Sequence, residues 1–326
     1  MRSPLTLHIL PFALIALCVH AVAQSRSYPP PGQMIDIGGR KLHLYCTGEG
    51  SPTVVLVAGG GAFSIDWALV QPKVAEHSRV CSYDRAGLGW SDPGPAEETV
   101  EETINDLHAL LHASGEKSPL VLVGASIGGI FIQAYQRAFP AEVAGLVFSN
   151  SANRVGFKGK DKGGLIWELS EPDLRSGFPL PISAKGSMPT REEDPFDRLP
   201  ADLQKVRLWL EVRLWEKSDP SKATPDSLLS WRQEFLKEFD ETEPGKKPPL
   251  GMLPVVVVSS NPPASDAARH PRDEAGPRLD LLSSNARHIT ATGSGHEIHL
   301  YQPDRLIEGV RQAVTAVRSG HPLAHP

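Results

Sequence analysis

The stretch VLVGASIGGI, Val121 to Ile130, runs four apolar, strand-forming residues into a serine held between glycines, and an apolar segment follows. Within it, Gly124-Ala125-Ser126-Ile127-Gly128 is a G-x-S-x-G pattern. Between a strand and a helix, such a pattern makes a sharp turn that lifts the serine hydroxyl out of the sheet. Small neighbours let the backbone adopt the turn, and the following helix directs its positive end at the same point, favouring a developing oxyanion. A helix-capping serine in a glycine-rich turn is the plain alternative. The flanking chain has to decide between them.

Upstream, TVVLVAGGG (53–61) and RVCSYD (79–84) read as strands, as do PLVLVGAS (119–126) and VAGLVFSN (143–150). Between them lie helical segments: IDWALVQPKVAEH (65–77), with Pro72 as a boundary residue, then EETVEETINDLHALLHAS (97–114) and IGGIFIQAYQRAFP (127–140). In the second, Val100, Ile104, Leu107, Leu110 and Leu111 line one face, and Gly115 closes it. MIDIGG (34–39) and KLHLYCTG (41–48) form a hairpin pattern ahead of these. Strands alternating with helices predict a mostly parallel sheet. Their continuous apolar runs predict that both faces are covered.

From 153 to 250 strand signals vanish, and helical pieces such as ADLQKVRLWLEVRLWEK (201–217) and PDSLLSWRQEFLKEFD (225–240) take over. LPVVVVSS (253–260), RHITATGSGH (287–296) and QPDRLIEGVRQAVTAVRS (302–319) then restore the strand and helix pattern. The expected fold is therefore α/β, a doubly wound, mostly parallel sheet with a helical cap inserted after the sixth strand. The core spans 24–152 and 251–326, and the cap or lid spans 153–250. In the 201–217 helix, Leu203, Val206, Leu210 and Leu214 share one face, and Leu208, Val212 and Trp215 share another. One face can dock on the core; the other either walls an apolar substrate pocket or packs within the cap.

The first 23 residues read as a signal peptide. Arg2 precedes the apolar run LTLHILPFALIALCV, and Ala21-Val22-Ala23 forms a cleavage pattern before Gln24. The run is short for a membrane span and contains Pro11, although a retained anchor is the alternative. Leu17 stands before Cys18 where a lipoprotein signal needs a small residue. The expectation is export, periplasmic or secreted, with no stable membrane span after cleavage. A formal charge of −5 without a basic stripe argues against nucleic-acid binding. Cys46 and Cys81 survive cleavage, and an oxidising compartment allows them a disulfide; two separate buried thiols are the other possibility.

A serine needs a base to be a nucleophile. The candidate is His296 in GSGHEIH (293–299), on a loop of small residues after the last strand; most of the other eleven histidines read as surface or tail residues. An oxyanion hole needs backbone N–H groups aimed at one point. Ile127 supplies one, and AGGGAF (58–63) supplies the other through Gly60, with Gly61 next to it. A phosphate loop is disfavoured, because no Lys-Ser/Thr follows and the G-x-G-x-x-G spacing is missing; no cofactor is implied. In HEIH, His296 and His299 stand one residue short of H-E-x-x-H in a segment without helical pattern, which makes a metal-dependent hydrolase a weaker reading.

Ala58-Gly59-Gly60-Gly61, YDRAGLGWSDP (83–93), Gly124 to Gly128 and SGH (294–296), in that order, resemble the α/β-hydrolase superfamily, in particular its small esterases and peptidase-like hydrolases. The resemblance covers roughly 34–152 and 252–318. It implies Ser126 as nucleophile, His296 as base, and an ester, amide or related acyl bond of a small molecule as target, cleaved through an acyl-enzyme. It also implies that the strands carrying Cys46 and Cys81 are antiparallel neighbours. There are two departures. Ala58 replaces the histidine common at the oxyanion loop, and the usual acid position falls in SSNPPASD (259–266), where Asp266 comes late. Asp273, Glu274 and Asp280 read as helix-surface charge. The end of the 143–149 strand offers Asn150, which cannot supply the charge. Asp84 and Arg85 read as structural residues fixing the loop beside the site. A non-catalytic binding protein of this fold is the alternative from another class; it would be marked by loss of the serine or histidine, and both are present.

Overall fold

A computed structural model of the chain describes residues 27–94, 99–151, 188–217, 250–261 and 282–323. The signal-peptide reading of residues 1–23 falls outside them, as do the second cap helix at 225–240 and the acidic candidates Asp266, Asp273, Glu274 and Asp280.

Eight strands form one sheet: β1 (Gln33–Asp36), β2 (Lys41–Thr47), β3 (Thr53–Val57), β4 (Val80–Tyr83), β5 (Leu120–Ala125), β6 (Val143–Ser149), β7 (Val255–Asn261) and β8 (Ala286–Thr292). Their order is β1-β2-β4-β3-β5-β6-β7-β8. β1 and β2 pair antiparallel, as do β2 and β4, and every other pairing is parallel. The apolar runs are continuous because alternate residues serve opposite faces. Val55, Val57, Leu120, Leu122, Phe148 and Val257 face one buried cluster with α2 (Val100–Ser114) and α3 (Gly128–Ala138). Val54, Leu56, Val121, Val123, Val147 and Val256 face the other. That side is covered by α1 (Gln71–Ala75) and by the last helix, α5 (Pro303–Ser319), through Val74, Leu306, Val310 and Val314.

Helix boundaries follow local chemistry. Helix α2 starts at Val100, with Thr99 as its N-cap. The Thr99 hydroxyl accepts the Glu102 N–H at 3.1 Å and the Glu102 carboxylate accepts the Thr99 N–H at 3.0 Å, a reciprocal cap that fixes the start. Gly115, left-handed at φ 76°, ends it. All five apolar residues of the predicted face are buried. The 65–77 segment does not make one helix. It splits into a 3₁₀ turn at Ser64–Trp67 and the five-residue α1, with Pro72 in its first turn, where a missing N–H costs nothing.

Cys46 and Cys81 are opposite each other in the β2–β4 register and are joined by a disulfide that closes a 35-residue separation.

Between β6 and β7, α4 (Ala201–Lys217) docks on the core. Leu210 packs with Phe63 and Ile65, flanked by Val206, Trp209, Leu214, Leu88 and Trp90. Leu208, Val212 and Trp215 on the other face are half-buried. The deepest side chains of this helix are charged, which its apolar pattern did not announce. Arg207 Nε donates to Asp66 Oδ1 at 2.8 Å, and its Nη1 donates to Glu192 at 2.8 Å and to Glu211 at 2.6 Å. All four side chains are under 5% exposed. Burial, opposed by Arg207 but reinforced by Glu211 and Asp66, pushes the Glu192 carboxyl up to about 7. Asp66 also accepts the Phe63 N–H at 2.9 Å, so this cation ties α4 to the turn that follows the glycine loop.

Candidate active site

Ser126 stands between the end of β5 and the start of α3 at φ 52°, in the left-handed region that an L-serine adopts only under constraint. The two glycines of the motif are required by contact. A Cβ on Gly124 would sit 2.6 Å from the Gly128 carbonyl carbon, and one on Gly128 would sit 2.4 Å from the Val57 carbonyl oxygen. The turn is thus wedged between β5, α3 and β3. Its remaining anchor is the Ser126 N–H, which donates to the Ser149 carbonyl at 3.2 Å. The plain capping role does not describe this serine: the N-cap of α3 is Ile127, and no side chain caps it. Ile127 carries the first backbone N–H of a helix end whose donors lack intrahelical partners.

The glycine loop after β3 lies against this turn. A Cβ on Gly59 would be 3.1 Å from Ser126 Cβ, and one on Gly60 would be 3.5 Å from Ile127 Cδ1. Arg85, buried, donates to the Ala58 carbonyl at 2.7 Å and the Gly59 carbonyl at 2.9 Å. Because a trans peptide holds C=O and N–H in opposite directions, fixing the Gly59 carbonyl on Arg85 turns the Gly60 N–H away from that guanidinium. Asp84, also buried, accepts the Ser64 N–H at 2.7 Å and the Trp90 N–H at 3.2 Å, and lies 2.8 Å from His43 Nδ1. The two residues therefore brace the loops around the serine turn. His43 is fully buried, and so is His299, against the Trp67 ring at 4.8 Å; neither is the surface histidine that composition suggested.

His296 follows β8, half-buried, on a loop that needs Gly295 because a Cβ there would meet the Tyr301 ring at 2.4 Å. Its ring faces Asn150, the residue that follows β6. Asn150 Nδ2 donates to His296 Nδ1 at 3.0 Å and to the His296 carbonyl at 3.2 Å, while its Oδ1 accepts the Ser260 N–H at 3.4 Å. The Asn150 N–H donates to the Val258 carbonyl, and its φ is 44°, a conformation asparagine tolerates. Sequence reasoning set Asn150 aside for want of charge. Its amide nevertheless holds the imidazole, and the available signal was its place directly after a strand beside the one bearing Ser126. With an amide donor on Nδ1, the ring proton belongs on Nε2 in this arrangement.

The structure thus brings Gly59, Gly60, Ser126 and Ile127 together. It also brings His296 to Asn150, one residue from the Ser149 carbonyl that anchors Ser126. Every one of these groups lies at or beyond the carboxyl end of β3, β5, β6 or β8. Asp266 lies outside the described residues, but residue 260 at the end of β7 contacts Asn150. Among the described residues, no helix is long and apolar enough to cross a membrane.

Known proteins share this frame. A protein of Hormonema carpetanum named "Probable transporter efuK" is 26% identical over 89% of this chain and 44% of its own length. The 2-hydroxy-6-oxo-2,4-heptadienoate hydrolase of Pseudomonas putida is 34% identical over 44% of this chain and 53% of its own. The chain thus spans about half, or less, of the length of such curated relatives. A solved thermophilic esterase of Thermogutta terrifontis superposes with a TM-score of 0.56 at 20% identity, over 85% of this chain and 94% of that one, a likeness of fold alone. The model of the alpha/beta hydrolase family matches residues 54–308. That span runs from the strand before the glycine loop, through the Ser126 turn and the His296 loop, into the final helix, so the chain belongs to the alpha/beta hydrolase family.

Proposed function

We propose that the protein is a serine hydrolase that cleaves an ester, amide or related acyl bond of a small molecule with an apolar part. The observation that carries this reading is Ser126 held at φ 52° on a contact-locked turn, beside a glycine loop and at the head of α3. The Ser126 hydroxyl attacks the acyl carbon while His296 takes its proton. The oxyanion is held by the N–H groups of Gly60 and Ile127. His296 then returns the proton to the leaving group, and water, activated by the same imidazole, releases the acid from the acyl-enzyme. For this His296 must carry its proton on Nδ1, which a carboxylate secures. Asp266 fills that role on the loop after β7, whose strand end already abuts Asn150. The names of the Pseudomonas putida hydrolase and the Thermogutta terrifontis esterase support hydrolysis as the reaction class. The half-buried Leu208, Val212 and Trp215 of α4 support an apolar contribution from the cap (153–250).

The test is labelling with a fluorophosphonate probe. Wild type is expected to label and Ser126→Ala to lose both labelling and on the order of 10⁴-fold in turnover. Absence of labelling, or equal labelling of Ser126→Ala, overturns the reading. One observation favours a second reading, a binding protein of this fold: the Asn150 amide on Nδ1 places the ring proton on Nε2, where the imidazole cannot act as base. That reading predicts an unlabelled Ser126 and ligand affinity without turnover. Export completes the proposal: the mature chain begins at or near Gln24 on N-terminal sequencing, and a soluble form retaining Met1 would remove it.

A further inference from the structure

On the sheet face covered by α2 and α3, toward the end of α3 opposite to Ser126, three side chains converge without a role in the chemistry above. His108 and His112 are four residues apart on α2, so their rings lie one above the other on the same face, 4.3 Å between centroids. Glu142 enters from the turn between α3 and β6. Its Oε1 lies 3.0 Å from His108 Nε2 and 3.2 Å from His112 Nε2.

The surroundings hold these atoms in place. The His108 ring stacks on Phe139 at 3.9 Å and 12°. The Tyr135 hydroxyl donates to Glu142 Oε2 at 2.6 Å, which leaves Oε1 turned toward both imidazoles. The Glu142 backbone is fixed at both ends: its N–H donates to the Phe139 carbonyl at 3.1 Å, and its carbonyl accepts the Leu120 N–H at 2.8 Å.

We propose that His108, His112 and Glu142 form a binding site for a borderline divalent transition metal, of the class of Zn²⁺, Ni²⁺ or Cu²⁺. Two imidazole nitrogens and one carboxylate oxygen suit these ions; Mg²⁺ and Ca²⁺ prefer oxygen alone. A tetrahedral ion with bonds of about 2.0–2.1 Å sets its ligand atoms roughly 3.3 Å apart. The observed separations are within a few tenths of that for the two pairs that include Glu142 Oε1, so the side chains need only spread slightly around the ion. Tyr135 orients the ligating carboxylate from behind, the outer hydrogen bond that such ligands usually have. The His112 side chain is 63% exposed, which gives an ion a path in and leaves its fourth position to solvent. A bound ion would fasten α2 to the α3–β6 turn, and binding to the folded chain alone would raise its stability by mass action.

The test is calorimetric titration of the full chain, free of any affinity tag, with zinc chloride at pH about 7.5, accompanied by thermal unfolding with and without the ion. One ion per chain is expected at micromolar affinity, with a higher Tm when it is bound. His112→Ala, an exposed substitution that leaves the fold intact, is expected to weaken binding at least tenfold and to abolish the Tm rise; Glu142→Gln is expected to weaken it as well. With Cu²⁺ in place of Zn²⁺, the electron paramagnetic resonance spectrum is expected to pass from two coordinated imidazoles in wild type to one in His112→Ala. No saturable binding below millimolar zinc, or equal affinity in wild type and His112→Ala, would overturn the site.

Discussion

His296 Nδ1 faces the Asn150 amide. At the residue scale the question is whether Asn150 or Asp266 faces it in the proposed hydrolase, because only an acceptor there leaves Nε2 free to take a proton from Ser126. If Asp266 is that acceptor, Asp266→Asn is expected to lower turnover by on the order of 10³–10⁴-fold. Asn150→Asp would then place a carboxylate about as close as the present amide, 3.0 Å from Nδ1. Adding it to Asp266→Asn is expected to restore much of the loss. Steady-state kinetics of the two single variants and the double variant decide it; an Asp266→Asn enzyme with wild-type turnover shows that Asp266 is not the acid. The serine turn and the histidine loop were legible in the sequence because their requirements are local: small residues around a sharp turn, small residues around a projecting loop. The Asn150–His296 contact was less so, because it joins residues 146 apart, and the one signal, the place of Asn150 after a strand beside that of Ser126, was set aside for want of charge.

At the scale of elements, α4 shows the limit of periodicity. The pattern showed two apolar faces without naming the one that docks; it is the one carrying Val206, Leu210 and Leu214, and Leu210 packs on Phe63 and Ile65. Arg207 stands beside the apolar stripe and is buried with Glu211, because its partner Asp66 comes from a turn 141 residues earlier. One guanidinium among Asp66, Glu192 and Glu211 leaves the group short of positive charge. Arg207→Met would strand three buried carboxyls and is expected to cost roughly 3–5 kcal/mol, read as a shift in the urea midpoint. The imbalance also gives the fold a pH dependence. Glu192 holds its proton to about 7 in the folded chain, against an ordinary value of 4.5. Between those values the folded state binds more protons than the unfolded one, so this contribution is full below about 4.5 and is lost as pH rises through about 7. Glu192→Gln is expected to flatten that decline and to exceed wild type in stability at pH about 8. Parallel denaturation curves for the two proteins from pH 5 to 8 would contradict it.

At the scale of the whole molecule, the layered sheet was the most legible feature, because every strand from β3 to β7 must be apolar on both faces and the composition shows it directly. The split of the 65–77 segment was less so, since Pro72 permits either a helix start or a break and only packing chooses. The Cys46–Cys81 bond ties the antiparallel β2 to the parallel body through β4. Replacing both cysteines by serine is expected to lower stability by about 2–4 kcal/mol, measured by denaturation. Turnover at low temperature is expected to stay near wild type, because the bond lies away from the strand ends that carry the site. A free-thiol count of two on unfolded, unreduced protein would show that the bond is not formed.

The position of β8 at the outer edge of the sheet has a consequence in time. The Ser126 turn rests on β3, β5 and β6, all of which the ribosome completes before residue 150, whereas His296 hangs from a strand that, among the described residues, pairs with β7 alone. On the proposed function, a nascent or refolding chain holds the proposed nucleophile before the proposed base and is expected to be inert. β8 joins the sheet through β7, and β7 itself must first pair with β6, Leu146 with Val255, the pairing of greatest sequence separation among the described strands and so the slow part of folding. On dilution from denaturant, recovery of hydrolysis is expected to lag behind the packing of Trp90, whose ring neighbours His43 and Trp209 both precede β8 in the chain. A regain of both signals with one rate would show instead that the sheet closes in a single step, edge strand included.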